Sequence, residues 1–545
     1  MKKILLILFC ILISVPAILP FFHPGYFPTH DGEWAVVRLT DMFRILRDFQ
    51  FPARYSENLN FGYGYPLFNF VYPLPYYLGI FIYMFGLGFV GAIKTLFIGS
   101  VLLSAMFMFL ASRALWKSTW AGIISAMLYI YFPYRMVDLY VRGSVGESLA
   151  FILFPLLFYL AVKLIARSSL LLIVSVAISI ASLIMTHNIM TVLFMPLYIV
   201  FILIQILLRD KKAIKPFFIS IVLGFGLSAF FWIPALFEKG NILLSQTPIA
   251  SRNLYFVTFK QFIFSRWGYG VPTDPNGFSY QLGPAHLAVI IIVALYSIFA
   301  LIKSKKHLIG HSVKIAGSLT IIVAFYIFLL FKPSDFLWKN TPLLSEINYP
   351  WIVLGILGFL ISLSAGFLCR QRMGRCAMVF LSIIAVLTVF PYAKPQYYIN
   401  RGDNYYLTNN ATTTSSGELM PLWVKKIPVQ RWKEKIEIIN GEGVLRDISY
   451  NSKMLKFSID ALSQSTIRVN TIYYPGWNVL VDGINVPISY ANEKGAMDIS
   501  VNSGNHIVRM NFGETQLRLI SDIISLASIA MLLLLIIRRN KYEFF

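Results

Sequence analysis

His30 and Asp31 stand side by side in "FPTHDGEWAVVRLTDMFR", residues 27–44, where the first apolar segment ends. "YRMVDLYVRGSVGES" adds Arg135, Asp138, Arg142 and Glu147, and "THN" adds His187 and Asn188. Their chemistry is complementary. A carboxylate takes a proton from a hydroxyl, a guanidinium receives an anion, and His or Asn orients hydroxyl groups. Each residue also has a plainer reading. Asp31 precedes an amphipathic run and suits a helix N-cap. Arg135 and Arg142 suit headgroup anchoring, Asp138 a salt bridge to either, and His187 a turn. Two acids, two arginines and a His–Asn pair gathered at one membrane level favour a site over any one of these readings.

Topology is what gathers them. The chain has 545 residues, 57% of them hydrophobic and 13% charged. Apolar runs near the ~18–20 residues of a spanning helix recur along it. The expected fold is an all-α polytopic membrane protein. Its spans are placed at Ile4–Phe22, Thr95–Ser112, Thr119–Pro133, Leu149–Ala166, Ser169–Thr186 and Ile189–Leu208. They continue at Pro216–Phe237, Ala285–Ile302, Ile315–Phe331, Trp351–Leu368, Ala377–Ala393 and Ile520–Ile537. The net charge of +22 does not point to nucleic acid, because Lys and Arg cluster in short loops between apolar runs.

One further run, Leu74–Ile93, begins with "LPYY" and is rich in Gly and Tyr. If it does not cross, every basic cluster falls on the cytoplasmic side. These are Lys2 with Lys3, Arg113 with Lys117, Lys163 with Arg167, "RDKKAIK" at 209–215, "KSKKH" at 303–307, "RQRMGR" at 370–375 and "RRNK" at 538–541. Leu74–Ile93 is therefore expected to be re-entrant or interfacial, held against other helices, which gives about twelve spans; a thirteenth crossing, which its length alone favours, is the alternative. Both termini are then cytoplasmic, the first helix an uncleaved anchor. Segments 23–93, 134–148, 187–188, 238–284 and 394–519 face outward.

Segment 394–519 changes character. "KMLKFSIDA" and "MDISVNSGNHIVRMNF" alternate apolar and polar residues between Gly, Asn, Asp and Ser. That predicts an extracytoplasmic β-sandwich-like domain after a membrane domain at 1–393, with a final helix and basic tail at 520–545. None of Cys10, Cys369 and Cys376 lies in an outer segment, so no disulfide framework is expected. Residues 31–50 read as an amphipathic helix. Ala35, Val36, Leu39, Met42, Phe43, Leu46 and Phe49 share one face, with Arg38, Asp41, Arg44 and Asp48 opposite. Such a helix is expected to lie flat in the headgroup layer. No phosphate loop, zinc motif or nucleophile elbow is present.

The stretch "THDGEWAVVRLTDMFRILRDFQFPARYSENLNFGYGYPLFNFVYPLPYYLG" resembles the first outer loop of the 6-pyruvoyl-tetrahydropterin synthase-related family of prokaryotic membrane proteins. "PYRMVDLYVRGSVGESLAF", "MTHNIM", "GELMPLW" and "YYPGWNVLVDG" resemble its later hallmarks. That family is similar to the GT-C integral-membrane glycosyltransferases. The resemblance implies a polyprenyl-phosphate sugar donor, a glycan, lipid or protein acceptor, and an essential acid just after the first helix. Asp31 occupies that position. It is expected to act as the general base of an inverting transfer, with Arg135 and Arg142 facing phosphate. His30, Asp138, Glu147, His187 and Asn188 are then substrate-binding candidates. No cofactor is fixed. A divalent metal is the one candidate, with Asp31, Asp138 and His187 as ligands, though nothing in the spacing demands it. One departure stands out: in "NYPWIV", Ile352 replaces the Arg that relatives carry. A lipid-linked-glycan flippase, or a non-catalytic envelope-assembly protein with a degenerate transferase fold, is the alternative. The span centres are almost free of charge, which disfavours ion-coupled transport.

Overall fold

A computed structural model describes residues 3–208, 211–274, 277–303 and 310–539. Much of the basic clusters at 209–215, 303–307 and 538–541, together with Lys2, lies outside the described residues. The membrane part consists of α1 (Lys3–Ile18), α2 (Gly32–Arg47), α3 (Leu74–Ile82), α4 (Gly88–Trp116), α5 (Thr119–Ile130) and α6 (Val145–Ala166). It continues with α7 (Leu170–Thr186), α8 (Asn188–Leu208), α9 (Ile214–Leu227), α10 (Ala229–Phe237), α11 (Pro284–Lys303), α12 (His311–Leu329), α13 (Val353–Ala365) and α14 (Arg372–Val389). The closing helix is α15 (Gln516–Arg539).

Among the described residues, eight helices are long and apolar enough to cross a membrane, and α9 and α10 add a span bent by 69°. Three expected spans, in α5, α7 and α11, are shorter apolar helices. All twelve expected segments are thus helical. The α13 segment is enclosed on every side, whereas α1 and α15 leave most of their surface exposed, as lipid-facing helices do.

The run Leu74–Ile93 divides in two. Gly86 and Gly88 adopt φ of 84° and 70°, a left-handed region that ends regular helix. Before them, α3 has nine residues. At 1.5 Å per residue that is about 14 Å, half the ~30 Å of hydrocarbon, so α3 is too short to span it by itself; a further turn, Tyr83–Leu87, carries it to the break. The last residues of the run instead begin α4. The orphan N–H groups of Phe89 and Val90 there are accepted by the Asp403 carboxylate, at 2.9 and 3.3 Å. Phe81, Met84, Phe85 and Leu87 around the break are exposed apolar side chains.

The amphipathic α2 departs from expectation. Ala35, Val36, Leu39 and Met42 of its apolar face are buried, but Phe49 lies beyond the helix end at a φ of 56° and is exposed, and much of the polar face is covered rather than solvated. Arg38 donates to Thr413, Arg44 to the Leu407 carbonyl and Thr40 to the Tyr406 carbonyl. Glu33 pairs with Arg401 at 2.7 Å. Asp41 is buried and accepts from the Ser56 hydroxyl. The helix is clamped between the membrane helices and segment 401–413, whose pairing residues lie hundreds of positions away.

The strands occupy Ile436–Phe512, so 394–435 is largely irregular connection. β1 (Ile436–Asn440), β4 (Ser465–Ile472) and β7 (Ala496–Val501) form one antiparallel sheet in the order β1-β4-β7. The second, in the order β2-β3-β8-β5-β6, contains β2 (Gly443–Tyr450), β3 (Met454–Ala461), β5 (Trp477–Val481), β6 (Ile484–Val486) and β8 (Gly504–Phe512). Burial alternates along β3 and β8, the pattern of a sheet with one covered face. Ion pairs fasten this domain and α15 to the bundle. Arg54, almost wholly buried, contacts Glu514 at 3.2 Å and Asp522 at 2.9 Å. Arg518 pairs with Glu238 at 2.8 Å, and Asn69 and Tyr474 also donate to that carboxylate.

Removing one partner of such a pair strands the other charge. Arg518→Ala should destabilise the fold by about 3–5 kcal/mol, read as a lowered temperature of half-loss of monodisperse protein. Asp41 gives a pH signature. Burial pushes its carboxyl from 3.8 up to about 7. The folded state therefore holds this proton more tightly than the unfolded chain. The associated stability is full below about 3.8 and is lost as pH rises through about 7. Asp41→Asn should flatten the fall in thermal stability across that window; an unchanged slope would contradict the assignment.

Candidate functional site

The site begins with a backbone docking. The N–H of His30 donates to the Val141 carbonyl at 3.0 Å, and that of Asp31 to the Arg142 carbonyl at 2.7 Å. Residues 30–31 and 141–142 are thereby set side by side through main chain alone. Two glycines permit the approach. A Cβ on Gly143, whose φ is 66°, would lie 2.0 Å from Thr29 Oγ1, and one on Gly32 would lie 2.3 Å from the same atom.

Asp31 occupies the N-cap position of α2, but its side chain does not cap. Thr29 Oγ1 accepts the Gly32 N–H instead, at 2.9 Å. The Asp31 carboxylate is free of the helix, 37% exposed, and 3.9 Å from Arg142. The same Nη2 of Arg142 lies 3.1 Å from Glu147, fully buried at the start of α6, to which Arg142 Nε also donates at 3.2 Å. Glu147 also accepts from the Tyr134 hydroxyl at 2.6 Å. The Arg142 guanidinium lies over the Trp351 ring, 4.7 Å from its centroid. The resulting charge order is exposed carboxylate, guanidinium, buried carboxylate.

His30 sits on the same rim. Its Nε2 is 3.0 Å from the Gly270 carbonyl, an acceptor only, so Nε2 carries the proton. Burial and the Arg142 charge lower its pKa, which favours the neutral ring with Nδ1 left as acceptor. Its ring faces Phe278, which packs on Trp351.

The remaining candidates go elsewhere. Arg135 and Asp138, 3.9 Å apart, are buried in the bundle. Arg135 donates to Ser100 Oγ at 2.8 Å and lies over Phe151, while Asp138 accepts from Ser148. Burial, reinforced by the Glu147 charge, holds the Asp138 carboxyl well above the usual range, favouring its neutral form. The depth at which Arg135 was expected to meet phosphate is thus occupied by protein. His187 joins α7 to α8. Its Nδ1 accepts the Met190 N–H at 3.3 Å and its ring stacks on Tyr72. Burial and the Arg142 charge lower its pKa to about 3, so it is neutral. Asn188 donates to the Phe70 carbonyl at 3.1 Å, tying α8 to the first outer loop.

Among the described residues, no three His, Cys, Asp or Glu side chains converge as a metal-binding group. Asp31, Asp138 and His187 are not gathered into one such group. Other groups do reach the Asp31 mouth. The Arg38 guanidinium lies beside Tyr72 and Tyr76, and the Asp31 charge reaches both phenols. Tyr349 is within the field of Arg142 and Asp31. The Pro-flanked aromatics "VYPLPYY" and "NYPW" were the available signal for Tyr72, Tyr76, Tyr349 and Trp351.

Known proteins similar to this chain fall into two groups. An uncharacterized protein of Lactococcus lactis subsp. cremoris (strain MG1363) is 27% identical over 304 residues, which is 54% of this chain and 49% of that protein. The chain thus spans about half the length of that relative. Among solved structures, it is similar to the apo oligosaccharyltransferase of Archaeoglobus fulgidus, with a TM-score of 0.42 and 12% identity over 76% of this chain and 61% of that one. It is also similar to ArnT from Cupriavidus metallidurans bound to undecaprenyl phosphate, with a TM-score of 0.32 and 12% identity over 71% of this chain and 78% of that one. The 6-pyruvoyl-tetrahydropterin synthase related domain, described as a membrane protein, matches residues 68–394. That match covers more than half of the sequence, and the chain belongs to this family of membrane proteins.

Proposed function

We propose that the protein is an integral-membrane glycosyltransferase that moves a sugar from a polyprenyl-phosphate carrier to an extracytoplasmic hydroxyl acceptor. The observation that carries this reading is the Asp31 carboxylate. It stands at a helix start without capping it, is partly open, and faces a guanidinium. A carboxylate so placed suits proton removal from an acceptor hydroxyl.

In the proposed step, Asp31 takes the acceptor's hydroxyl proton as its oxygen attacks the anomeric carbon. The bond from that carbon to the phosphate oxygen breaks, and the polyprenyl phosphate leaves with the electron pair. One displacement inverts the anomeric configuration. The leaving phosphate is already anionic and needs cationic or donor groups more than a proton. Arg142 is the cation paired with Asp31, and the phenols of Tyr72 and Tyr76, which feel the Asp31 charge, lie beside Arg38. Glu147 keeps Arg142 from swinging outward, and neutral His30 offers Nδ1 to a sugar hydroxyl. The rim location spares the base a place in hydrocarbon, which would cost at least ~2.5–3.5 kcal/mol. A non-catalytic assembly role is the second reading. Ile352, buried where relatives carry Arg, is what favours it.

The reading requires an outward-facing site, so both termini are assigned to the cytoplasm and residues 394–519 to the outside. With the exposed Cys376 removed, Gln464→Cys should react with an impermeant maleimide on intact cells, and Lys117→Cys only after permeabilisation. External labelling of the Lys117 site would invert the topology.

Asp31→Asn should cut transfer from a panel of polyprenyl-phosphate sugars by about a hundredfold or more, with yield and thermal stability unchanged, since Thr29 rather than Asp31 caps the helix. Full activity in that variant would eliminate Asp31 as base. No carrier consumption by the wild-type protein on any panel member would favour the assembly role.

A further inference from the structure

A second polar cavity, of about 340 Å³, lies at the far end of α2, between that helix and the turn joining β2 to β3. Its size falls at the lower end of the ~300–1,000 Å³ of small-molecule sites. Asp41, Arg44, Arg47 and Asp48 of α2 and its C-terminal end form one wall, Glu57 and Asn58 a second. Tyr450 and Ser452 line the side formed by the β-domain.

The charges decide the ligand class. Asp48 and Glu57 face the guanidinium groups of Arg44 and Arg47, Lys435 neutralises Glu57 at 2.6 Å, and buried Asp41 holds its proton below about 7. Charges of both signs are interleaved with at most one in excess, so the cavity suits neither a bare divalent cation nor a phosphate-rich anion. It offers acceptors (carboxylates) interleaved with donors (guanidinium and amide groups). A hydroxyl is both donor and acceptor, and adjacent hydroxyls on a ring satisfy such an array. Tyr450, 40% exposed, presents an aromatic surface braced edge-on by Trp432. That surface suits the C–H face of a sugar ring.

Two groups at the cavity are unspent. Ser452 is buried, its N–H donates to Asp48 at 2.8 Å, and its hydroxyl has no hydrogen-bond partner among the described residues. A buried hydroxyl left unpaired is unusual in a native protein and is explained if a ligand or water completes it. Arg47 stacks on Phe43 at 5.7 Å and makes no ion pair among the described residues.

We infer that this cleft is a second, non-catalytic site that binds a neutral saccharide unit between α2 and the β2–β3 turn. The inference does not depend on Asp31 transferring sugar. It follows from the near balance of charge, the interleaved donors and acceptors, and the aromatic wall.

The test uses the full-length protein in phospholipid nanodiscs, since maltoside detergents would themselves present sugar to the cleft. Maltose, cellobiose and N,N′-diacetylchitobiose are the probes, titrated against intrinsic fluorescence, with calcium and pyrophosphate as controls. We expect saturable binding of at least one saccharide. Arg47→Ala and Tyr450→Ala, both at exposed positions, should each weaken it about tenfold or more, while Asp31→Asn binds as the wild type does. No saturable binding of any probe would overturn the inference. So would binding that survives both cleft variants, or that Asp31→Asn weakens equally, which would place the sugar at the Asp31 mouth. Calcium or pyrophosphate binding with the same dependence on Arg47 would also overturn it, since the cleft would then be an ion site. Because Asp31→Asn tests the transfer reading through activity and this inference through binding, the two can fail separately.

Discussion

A guanidinium held away from water must find counter-charge nearby, and the Asp31 mouth of this protein is arranged around that need at Arg142. The side chain is only 12% exposed. Glu147 meets it from the start of α6, Tyr134 completes Glu147, and Trp351 covers the planar face. Asp31 supplies a second, outer carboxylate. Breaking the inner contact would leave two charges without compensation in a low-dielectric setting, so Arg142 has little freedom to wander. The separation between Asp31 and Arg142 is set by main-chain hydrogen bonds as well as by attraction. Geometry at the mouth thus owes less to flexible side chains than an ion pair alone would suggest.

The same requirement recurs where the β-domain meets the membrane helices. Arg54, Glu238 and Arg518 are all nearly enclosed; Arg54 and Glu238 are each satisfied from more than one direction, and Arg518 places both Nε and Nη2 on Glu238. Apolar packing alone does not specify how a soluble domain sits on a bundle, because apolar surfaces slide at small cost. Buried charges with fixed partners select one orientation. Segment 401–413 holds α2 in turn, and Asp31 stands at one end of that helix.

Periodicity and charge bias read the large elements well. All twelve expected apolar segments are helical, and the alternating stretches after residue 435 are strands. The break in Leu74–Ile93 was legible in the glycines and tyrosines of that run, although its last residues join α4. What the sequence could not disclose was which polar residues are turned inward. Arg135 and Arg142 sit about two helical turns apart in the same segment and look alike. One enters the bundle beside Ser100 while the other lines the mouth. The choice depends on Gly143, whose left-handed backbone redirects the chain after Arg142. The polar face of α2 looked like a water-facing surface because its partners, Thr413, Leu407 and Arg401, lie more than 350 residues later. Local pattern carries no record of pairings at that separation.

The Arg54 clasp also bears on the order of biosynthesis. Its acidic partner Asp522 is 468 residues downstream, and Glu514 is 460 downstream. While the intervening helices and strands are being made and inserted, this cation has neither carboxylate to meet. A nascent chain therefore keeps an open, hydrated seam at the base of its first outer loop until the closing helix arrives. Closure of that seam waits until α15 has been made. A chain cut short before residue 514 would leave Arg54 without either acidic partner.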